Sequence, residues 1–229
     1  GIFNFEQAFS VMGIGPQDNI FSIDAAELEQ RLKKCPAIRR ASVKRQISSN
    51  PTLLVDIDAR IPVAWIDCPE LGIHPGDATY GALADKEGVI FPCMEQVHMP
   101  YIREKRMPSV TLRPPSSGKL SYGVSIRELE APMKLIELLS GTVTEYLPSI
   151  VSITTPNDWS FCVRFTNDCQ ATFSHYGLEH QVEKLSRALR HARQTHRKIS
   201  SINLIPEHNI PVIFDNSYED IPLAEPIEE

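Results

Sequence analysis

A run of alternating apolar and polar residues, LLVDIDARIPVAWI at 53–66, limits the fold of this chain more than any other feature. Every second side chain of a β-strand points to the same face, so the run predicts a strand with one apolar and one charged face. Pro62 lies inside the run, and a proline cannot donate a hydrogen bond to a neighbouring strand. We therefore predict that one sheet ends at Pro62, where the chain enters a second sheet without a flexible linker.

Upstream of this run, the residue pattern predicts two helices followed by a strand. The first helix begins after Asn4 as N-cap and ends at Gly13, and the second has Asp24 as its N-cap. The segment IRRASVKRQI then predicts a strand with Ile47 on its apolar face. Helices before strands, rather than alternating with them, favour an α+β fold.

Downstream of residue 80, short predicted strands predominate, with two amphipathic helices between them. One hairpin can be registered from its apolar residues, because a three-residue loop places Phe161 opposite Phe173 and apolar residues opposite each other at every pair. Such a loop requires a left-handed residue, and Asn167 or Asp168 can adopt that conformation. This part of the chain therefore predicts a larger mixed or antiparallel β domain with flanking helices.

Composition narrows the class of protein. Hydrophobic residues make up 42% and charged residues 23% of the chain, as in soluble globular proteins. The formal net charge of −6 argues against nucleic acid as a partner. No apolar run approaches the roughly 18 residues that cross a bilayer, and no signal peptide is visible. The chain begins inside what looks like a structural element, GIFNFEQAF, so a membrane span upstream of Gly1 is compatible with it.

No motif in the sequence indicates catalysis or metal binding. GxSxG, HExxH, P-loop and GxGxxG patterns are absent. His175 and His180, like His191 and His196, are five residues apart, which places each pair roughly 140° apart around a helix. The five cysteines show no CxxC spacing, so we expect most of them to be free. We therefore predict a protein that is not an enzyme and binds neither a cofactor nor a metal.

A group of basic residues on the predicted N-terminal strand has two interpretations. It comprises Arg39, Arg40, Lys44 and Arg45. The first interpretation is a charged strand edge that discourages aggregation between sheets. The second is a contact site for a partner protein or a lipid headgroup. Asp56 and Asp58 share the polar face of the following strand, where exposure to solvent is sufficient explanation.

The last predicted strand, NIPVIF, precedes an acidic tail and is expected at a sheet edge, where a partner could add a strand. Because Pro211 has no N–H, we expect its backbone to face away from the sheet, with Ile213 and Asp215 facing the same way. The alternative is that the tail folds back over this edge. The predicted partner-binding segment comprises Asn209, Ile210, Pro211, Val212, Ile213, Phe214 and Asp215.

Several segments, taken in order, resemble the FtsQ/DivIB family of bacterial cell-division proteins, with its POTRA domain and β domain. They are GIGPQDNIFSID (13–24), LEQRLKKCPAIRRASVKR (28–45), TLLVDIDARIPVAWI (52–66), LADKEGVIF (83–91) and INLIPEHNIPVIF (202–214). The chain departs from the family pattern at Ala59, where a glutamate is usual, and in a longer turn between Arg45 and Pro51. The resemblance places the first POTRA strand upstream of Gly1, or leaves it as a stub.

The resemblance implies a POTRA domain at residues 1–66, a β domain at 67–217 and a flexible acidic tail at 218–229. It further implies an extracytoplasmic scaffold of the divisome, anchored in the inner membrane by one upstream span and located on the periplasmic side of the septum. Such a scaffold recruits and regulates septal peptidoglycan synthesis. It would bind partners of the FtsB/FtsL type by strand addition, and other divisome membrane proteins through the POTRA domain.

Two other readings remain open at this point. One is a POTRA module of an outer-membrane protein assembly or translocation machine, and the other is a hydrolase of unrecognised geometry. The full-length gene would distinguish the scaffold from the translocation module. One N-terminal membrane span would support the scaffold, whereas a C-terminal series of barrel strands would support the translocation module.

Overall fold

The computed structural model describes residues 3–15, 17–47, 51–103, 105–141 and 147–215. These residues form five α-helices and eleven β-strands, which confirms the α+β class. The chain divides into two compact units, residues 1–134 and 135–229. None of the helices in the described ranges is long and apolar enough to cross a membrane.

The first unit begins with two helices and an antiparallel pair of strands. These are α1 (Phe5–Met12), α2 (Ala25–Lys33), β1 (Ile38–Gln46) and β2 (Thr52–Ala59). Their apolar sides form one core, with Met12 and Leu32 fully buried. Ile47 lies beyond the end of β1 and is 78% exposed, so its predicted place on the apolar face is wrong.

Both predicted N-caps are present. Asn4 Oδ1 accepts a hydrogen bond from the N–H of Gln7 at 2.9 Å, and Gln7 Oε1 accepts one from the N–H of Asn4 at 2.8 Å. Asp24 Oδ1 accepts from the N–H of Ala26 at 2.9 Å. These bonds satisfy amide groups that the first turn of a helix leaves without partners. Gly13, with φ of 69°, ends α1 as predicted.

The alternation of the opening run continues along β2 and breaks two residues before Pro62. Val55 and Ile57 pack on the core described above, whereas Asp56 is exposed. Ile61 belongs to no strand and is 55% exposed, although the alternation places it on the apolar face. A new strand starts at Pro62 and pairs in a different sheet. The predicted change of sheet at this proline is therefore confirmed.

The second sheet of the first unit has the strand order β6-β3-β4-β5. Its strands are β3 (Pro62–Asp67), β4 (Ala82–Asp85), β5 (Ile90–Pro92) and β6 (Ser109–Thr111). The pair β3–β6 is parallel and the other pairs are antiparallel. Ala37, which precedes β1, is fully buried in one apolar cluster with Trp65, Leu83 and Phe91 of this sheet. The two sheets of the first unit therefore share apolar contacts.

Helix α3 (Glu95–Arg103) was not predicted, because Pro100 interrupts its pattern. Pro100 has no N–H to donate to the carbonyl of Gln96 four residues earlier. That carbonyl instead accepts a hydrogen bond from Gln7 Nε2 of α1, at 2.7 Å. A side chain from another helix thus satisfies the group that the proline leaves without its helical partner.

Arg60 and Asp85 form a nearly buried ion pair between the two sheets of the first unit. Arg60 Nη1 lies 2.6 Å from Asp85 Oδ2, and the two side chains are only 12% and 6% exposed. Arg60 Nε also donates to the carbonyl of Pro36 at 3.1 Å. Asp85 Oδ1 accepts from the N–H groups of Glu87 and Val89, at 2.9 and 3.0 Å. The pair therefore meets the requirement that buried charges be paired and hydrogen-bonded.

Helix α4 (Arg127–Gly141) spans the boundary between the units, and the second unit is mainly a five-stranded array in the order β11-β10-β9-β8-β7. Its elements are β7 (Ile150–Thr154), β8 (Ser160–Phe165), β9 (Gln170–Ser174), α5 (Leu178–Gln194), β10 (Lys198–Asn203) and β11 (Val212–Asp215). The pair β9–β10 is parallel, with α5 as its crossover helix, and the other pairs are antiparallel.

The predicted register of the β8–β9 hairpin is confirmed. Phe161 lies opposite Phe173, and their rings stack at 5.6 Å between centroids. The N–H of Phe165 donates to the carbonyl of Cys169 at 3.0 Å, which closes the three-residue loop. Asp168 has φ of 63°, so it is the left-handed residue that this loop requires.

Replacing Asp168 with valine is expected to lower the free energy of unfolding by about 1–2 kcal/mol, because a β-branched residue strongly disfavours the left-handed conformation. Urea unfolding measures this change. The matched variant Asp168→Gly adopts the same φ without strain and should stay within about 0.5 kcal/mol of the parent. Equal stability of the two variants would show that backbone conformation does not determine this hairpin.

Candidate protein-binding site at the last strand

Strand β11 ends the strand order of the second unit, and β10 is its neighbour on one side. Its four residues, Val212–Asp215, fall within the segment predicted to bind a partner, and Asn209, Ile210 and Pro211 lead into it. The acidic tail at 218–229 lies outside the described residues. The alternative that this tail covers the edge of β11 therefore stays untested. Within the described part of the chain, β11 is thus an edge strand, and binding of a partner there stays a prediction.

The pairing of β11 with β10 determines which backbone groups face outward. The N–H of Asn203 donates to the carbonyl of Pro211 at 3.0 Å, so the backbone of Pro211 faces β10. Ile213 lies opposite Ser201 in the next hydrogen-bonded position. In an antiparallel pair the N–H and C=O groups of one residue point to the same side, and successive residues alternate. The outward groups of β11 therefore belong to Val212 and Phe214.

The predicted outward direction of Pro211, Ile213 and Asp215 is wrong. That prediction assumed that a residue without an N–H must turn its backbone away from the sheet. Pro211 instead precedes the first residue of β11, where a proline is tolerated because only its carbonyl is needed for pairing. The backbone groups that face outward thus belong to Val212 and Phe214 instead of Pro211, Ile213 and Asp215. The predicted partner-binding segment, Asn209 to Asp215, stays the same.

Two side-chain contacts hold the end of β11 against the rest of its unit. The guanidinium carbon of Arg197 lies 3.6 Å from the centroid of the Phe214 ring, within the range of a cation–π interaction. Lys198 Nζ of β10 lies 3.9 Å from Asp215 Oδ2. Ile213, which precedes both Phe214 and Asp215, is 63% exposed. The outward backbone groups are therefore presented by a strand that is anchored at its end.

The basic residues of β1 do not form one patch. Arg39 Nη2 contacts Glu87 Oε1 at 2.5 Å, and Arg40 Nε lies 3.3 Å from Asp58 Oδ2 across the strand pair. These two arginines, together with Lys33, line a shallow depression that also contains Asp56 and Asp58. Mixed charges in a depression do not select an anionic ligand, so its electrostatics do not favour a lipid headgroup.

The other two basic residues lie towards the opposite end of β1. The guanidinium group of Arg45 donates to the carbonyl of Ile23, so this side chain is used inside its own unit. Lys44 is exposed and lies opposite Leu54 of β2. Arg40 and Lys44 are thus the two residues of the predicted cluster that present the most exposed charge.

A groove of about 1550 Å³ runs along β2 and was not recognised from the sequence. Residues of α1, β2 and α3 line it, including the exposed Leu54 and Ile61. Its third wall depends on α3, whose pattern Pro100 obscured. The alternation predicts that Ile61 is buried, but the structure exposes it. This exposed apolar side chain shows that no other part of the described chain covers the groove at Ile61.

The described residues include no candidate metal site and several buried ionisable groups. No three side chains of the types His, Cys, Asp or Glu are placed there to share a metal ion. All five cysteines are free, and burial raises the pKa of the Cys93 and Cys169 thiols to about 11. Burial lowers the pKa of His98 to about 4, and its Nδ1 accepts a hydrogen bond from the N–H of Met94 at 2.9 Å. These thiols are protonated at neutral pH, and the histidine is neutral.

A protein-family model matches the N-terminal part of the chain. The family described as "POTRA domain, FtsQ-type" matches residues 6–58, from α1 to the penultimate residue of β2. No curated protein matches the chain. The matched segment contains the basic residues of β1, whereas β11 lies outside it.

Proposed function

Residues 6–58 of this chain are an FtsQ-type POTRA domain, a type found in cell-division proteins, and on this premise we propose that the chain is a scaffold of the bacterial divisome. It is not an enzyme: it binds division proteins of the FtsB/FtsL type and thereby recruits and regulates septal peptidoglycan synthesis. The chain lies on the periplasmic side of the inner membrane at the septum, anchored by one N-terminal span.

The observation that carries this proposal is the outer side of β11. Val212 and Phe214 direct N–H and C=O groups away from β10, which is the requirement for pairing with an added strand. Backbone pairing supplies affinity, and the exposed side chain of Ile213 adds apolar contact area for a partner. The partner-binding segment thus extends from Asn209 to Asp215.

We also propose that the chain consists of three regions with different roles. Residues 1–66 are the POTRA domain, residues 67–217 are a β domain that carries the partner-binding strand, and residues 218–229 are a flexible acidic tail. The exposed charges of Arg40 and Lys44 support a second contact, between the POTRA domain and other divisome membrane proteins. Arg40 also has a partner, Asp58, but its side chain stays 76% exposed. Arg39 and Arg45, which contact Glu87 and the carbonyl of Ile23, help to shape this surface.

Replacing Val212 with proline is expected to weaken binding of an FtsB-type peptide at least about tenfold, or about 1.4 kcal/mol. The substitution removes one outward N–H that β11 does not use for pairing with β10. Calorimetric titration of the peptide gives the affinity, and circular dichroism should show an unchanged fold.

The matched control is Ile213→Pro, which removes an inward N–H at the position opposite Ser201. This variant should lose stability through the lost pairing with β10, by about 1–3 kcal/mol. If Val212→Pro binds the peptide as tightly as the parent chain while its fold is intact, the partner does not bind at this edge.

A further inference from the structure

Helix α5 buries two polar side chains less than one turn apart. Gln181 is 4% exposed and Lys184 is 9% exposed, in a row otherwise made of apolar residues. The role of Gln181 is local. Its Oε1 accepts from the N–H of Ser174 at 2.9 Å, and its Nε2 donates to the carbonyl of Tyr176 at 2.6 Å. Gln181 thus holds the loop that leads into its own helix.

Lys184 holds a different loop. Its Nζ donates to the carbonyl of Pro206, 2.9 Å away and 22 residues later in the chain. A lysine side chain is rarely this buried, because its ammonium group must stay hydrated or be paired. A methionine would fill a similar volume but could not donate a hydrogen bond. The charge-assisted bond to the carbonyl of Pro206 is therefore what a lysine adds at this position.

The loop at residues 204–210 connects β10 to β11 and is fixed at both ends. The N–H of Leu204 donates to the carbonyl of Thr172 at 2.9 Å, and Asn203 Oδ1 accepts from the N–H of Ile205 at 3.1 Å. At the other end Asn209 adopts the left-handed conformation, with φ of 52°, and the carbonyl of Pro211 accepts from the N–H of Asn203 at 3.0 Å. The bond from Lys184 lies between these points, so it limits how far the loop can slide.

We propose that Lys184 is a positioning residue for the edge of β11. By holding the carbonyl of Pro206, it fixes the length of loop available before Pro211 meets Asn203. The length of this loop determines which residues of β11 direct their N–H and C=O groups away from β10. A shift of β11 by one residue would exchange its inward-facing and outward-facing residues. The inference rests on the proposed function, since it assigns Lys184 to the strand proposed to bind the partner.

The test is the variant Lys184→Met, examined by amide hydrogen exchange and by titration with the FtsB-type peptide. The N–H of Asn203, which donates to Pro211, should exchange at least about tenfold faster, whereas the N–H of Phe165 in the β8–β9 hairpin should be unchanged. Peptide affinity should fall at least about fivefold. Lys184→Arg, which keeps a charged donor, should retain both properties.

Arg187→Met is the matched control on the same helix, because this side chain is 67% exposed and should leave both measurements unchanged. If the methionine variant folds poorly, Lys184→Gln gives the same comparison with a shorter, neutral donor. Unchanged exchange at Asn203 overturns the inference, and so does faster exchange with undiminished affinity. A parent chain that binds no peptide contradicts the proposed function instead, and the exchange rates still test the positioning role.

Discussion

Replacing Arg60 with methionine is expected to lower the free energy of unfolding by about 3–5 kcal/mol, because it leaves the buried carboxylate of Asp85 without its counter-charge. The loss is larger than for an exposed pair, since both side chains are almost inaccessible to water. Denaturation in urea measures it.

Two further variants distinguish a lost ion pair from general damage at the junction. Arg40→Met removes an arginine whose side chain is 76% exposed, and should change stability by less than about 1 kcal/mol. The double variant Arg60→Met with Asp85→Asn removes both charges and should recover part of the loss. A double variant that is no more stable than Arg60→Met alone would argue against an unpaired charge as the cause.

The stability of the folded chain is expected to fall by about 3 kcal/mol between pH 6.5 and pH 4 because of His98 alone. The unfolded chain takes up a proton at this histidine near pH 6.5, whereas burial holds the pKa of the folded state at about 4. As the pH falls from 6.5 to 4, the unfolded state binds a proton at His98 and the folded state does not. The unfolded state is therefore favoured increasingly at lower pH. Above pH 6.5 both states are neutral there, and the group makes no pH-dependent contribution.

Urea midpoints at several pH values would measure this effect, as the difference between the parent chain and His98→Asn. Asparagine can still accept the hydrogen bond from Met94, but it does not titrate. The variant should be less stable at neutral pH and should lose less stability on acidification. A parallel loss in His98→Asn and the parent chain would exclude His98 as the cause.

Features that depend on neighbours in sequence were the ones that could be predicted. Asn4 and Asp24 cap their helices through bonds to residues two or three positions away. The β8–β9 register follows from one short loop and the pairing of apolar residues across it. In these cases the residues that determine the structure all lie within one short segment. The residue pattern of that segment is therefore sufficient to predict the cap or the register.

Features that depend on distant partners could not be predicted. The direction of the Pro211 backbone is set by Asn203, whose N–H donates to the carbonyl of Pro211. The prediction from the sequence considered only the missing N–H of the proline. Helix α3 tolerates Pro100 because Gln7, more than 80 residues earlier, satisfies the carbonyl left without its helical bond. The partner of Arg60 is 25 residues away, in β4. No local pattern specifies which distant group will supply the missing bond.

The apolar cluster around Trp65 limits how far the N-terminal part can be treated as an exchangeable module. Ala37 comes from the POTRA side of the Pro62 junction, and Leu83 and Phe91 come from the β side. A segment cut at residue 66 and grafted onto another protein would expose the ring of Trp65, which is 6% exposed here. The recipient would have to supply an apolar surface of matching shape. Recombination of this region between proteins should therefore succeed only when β4 and β5 are transferred with it.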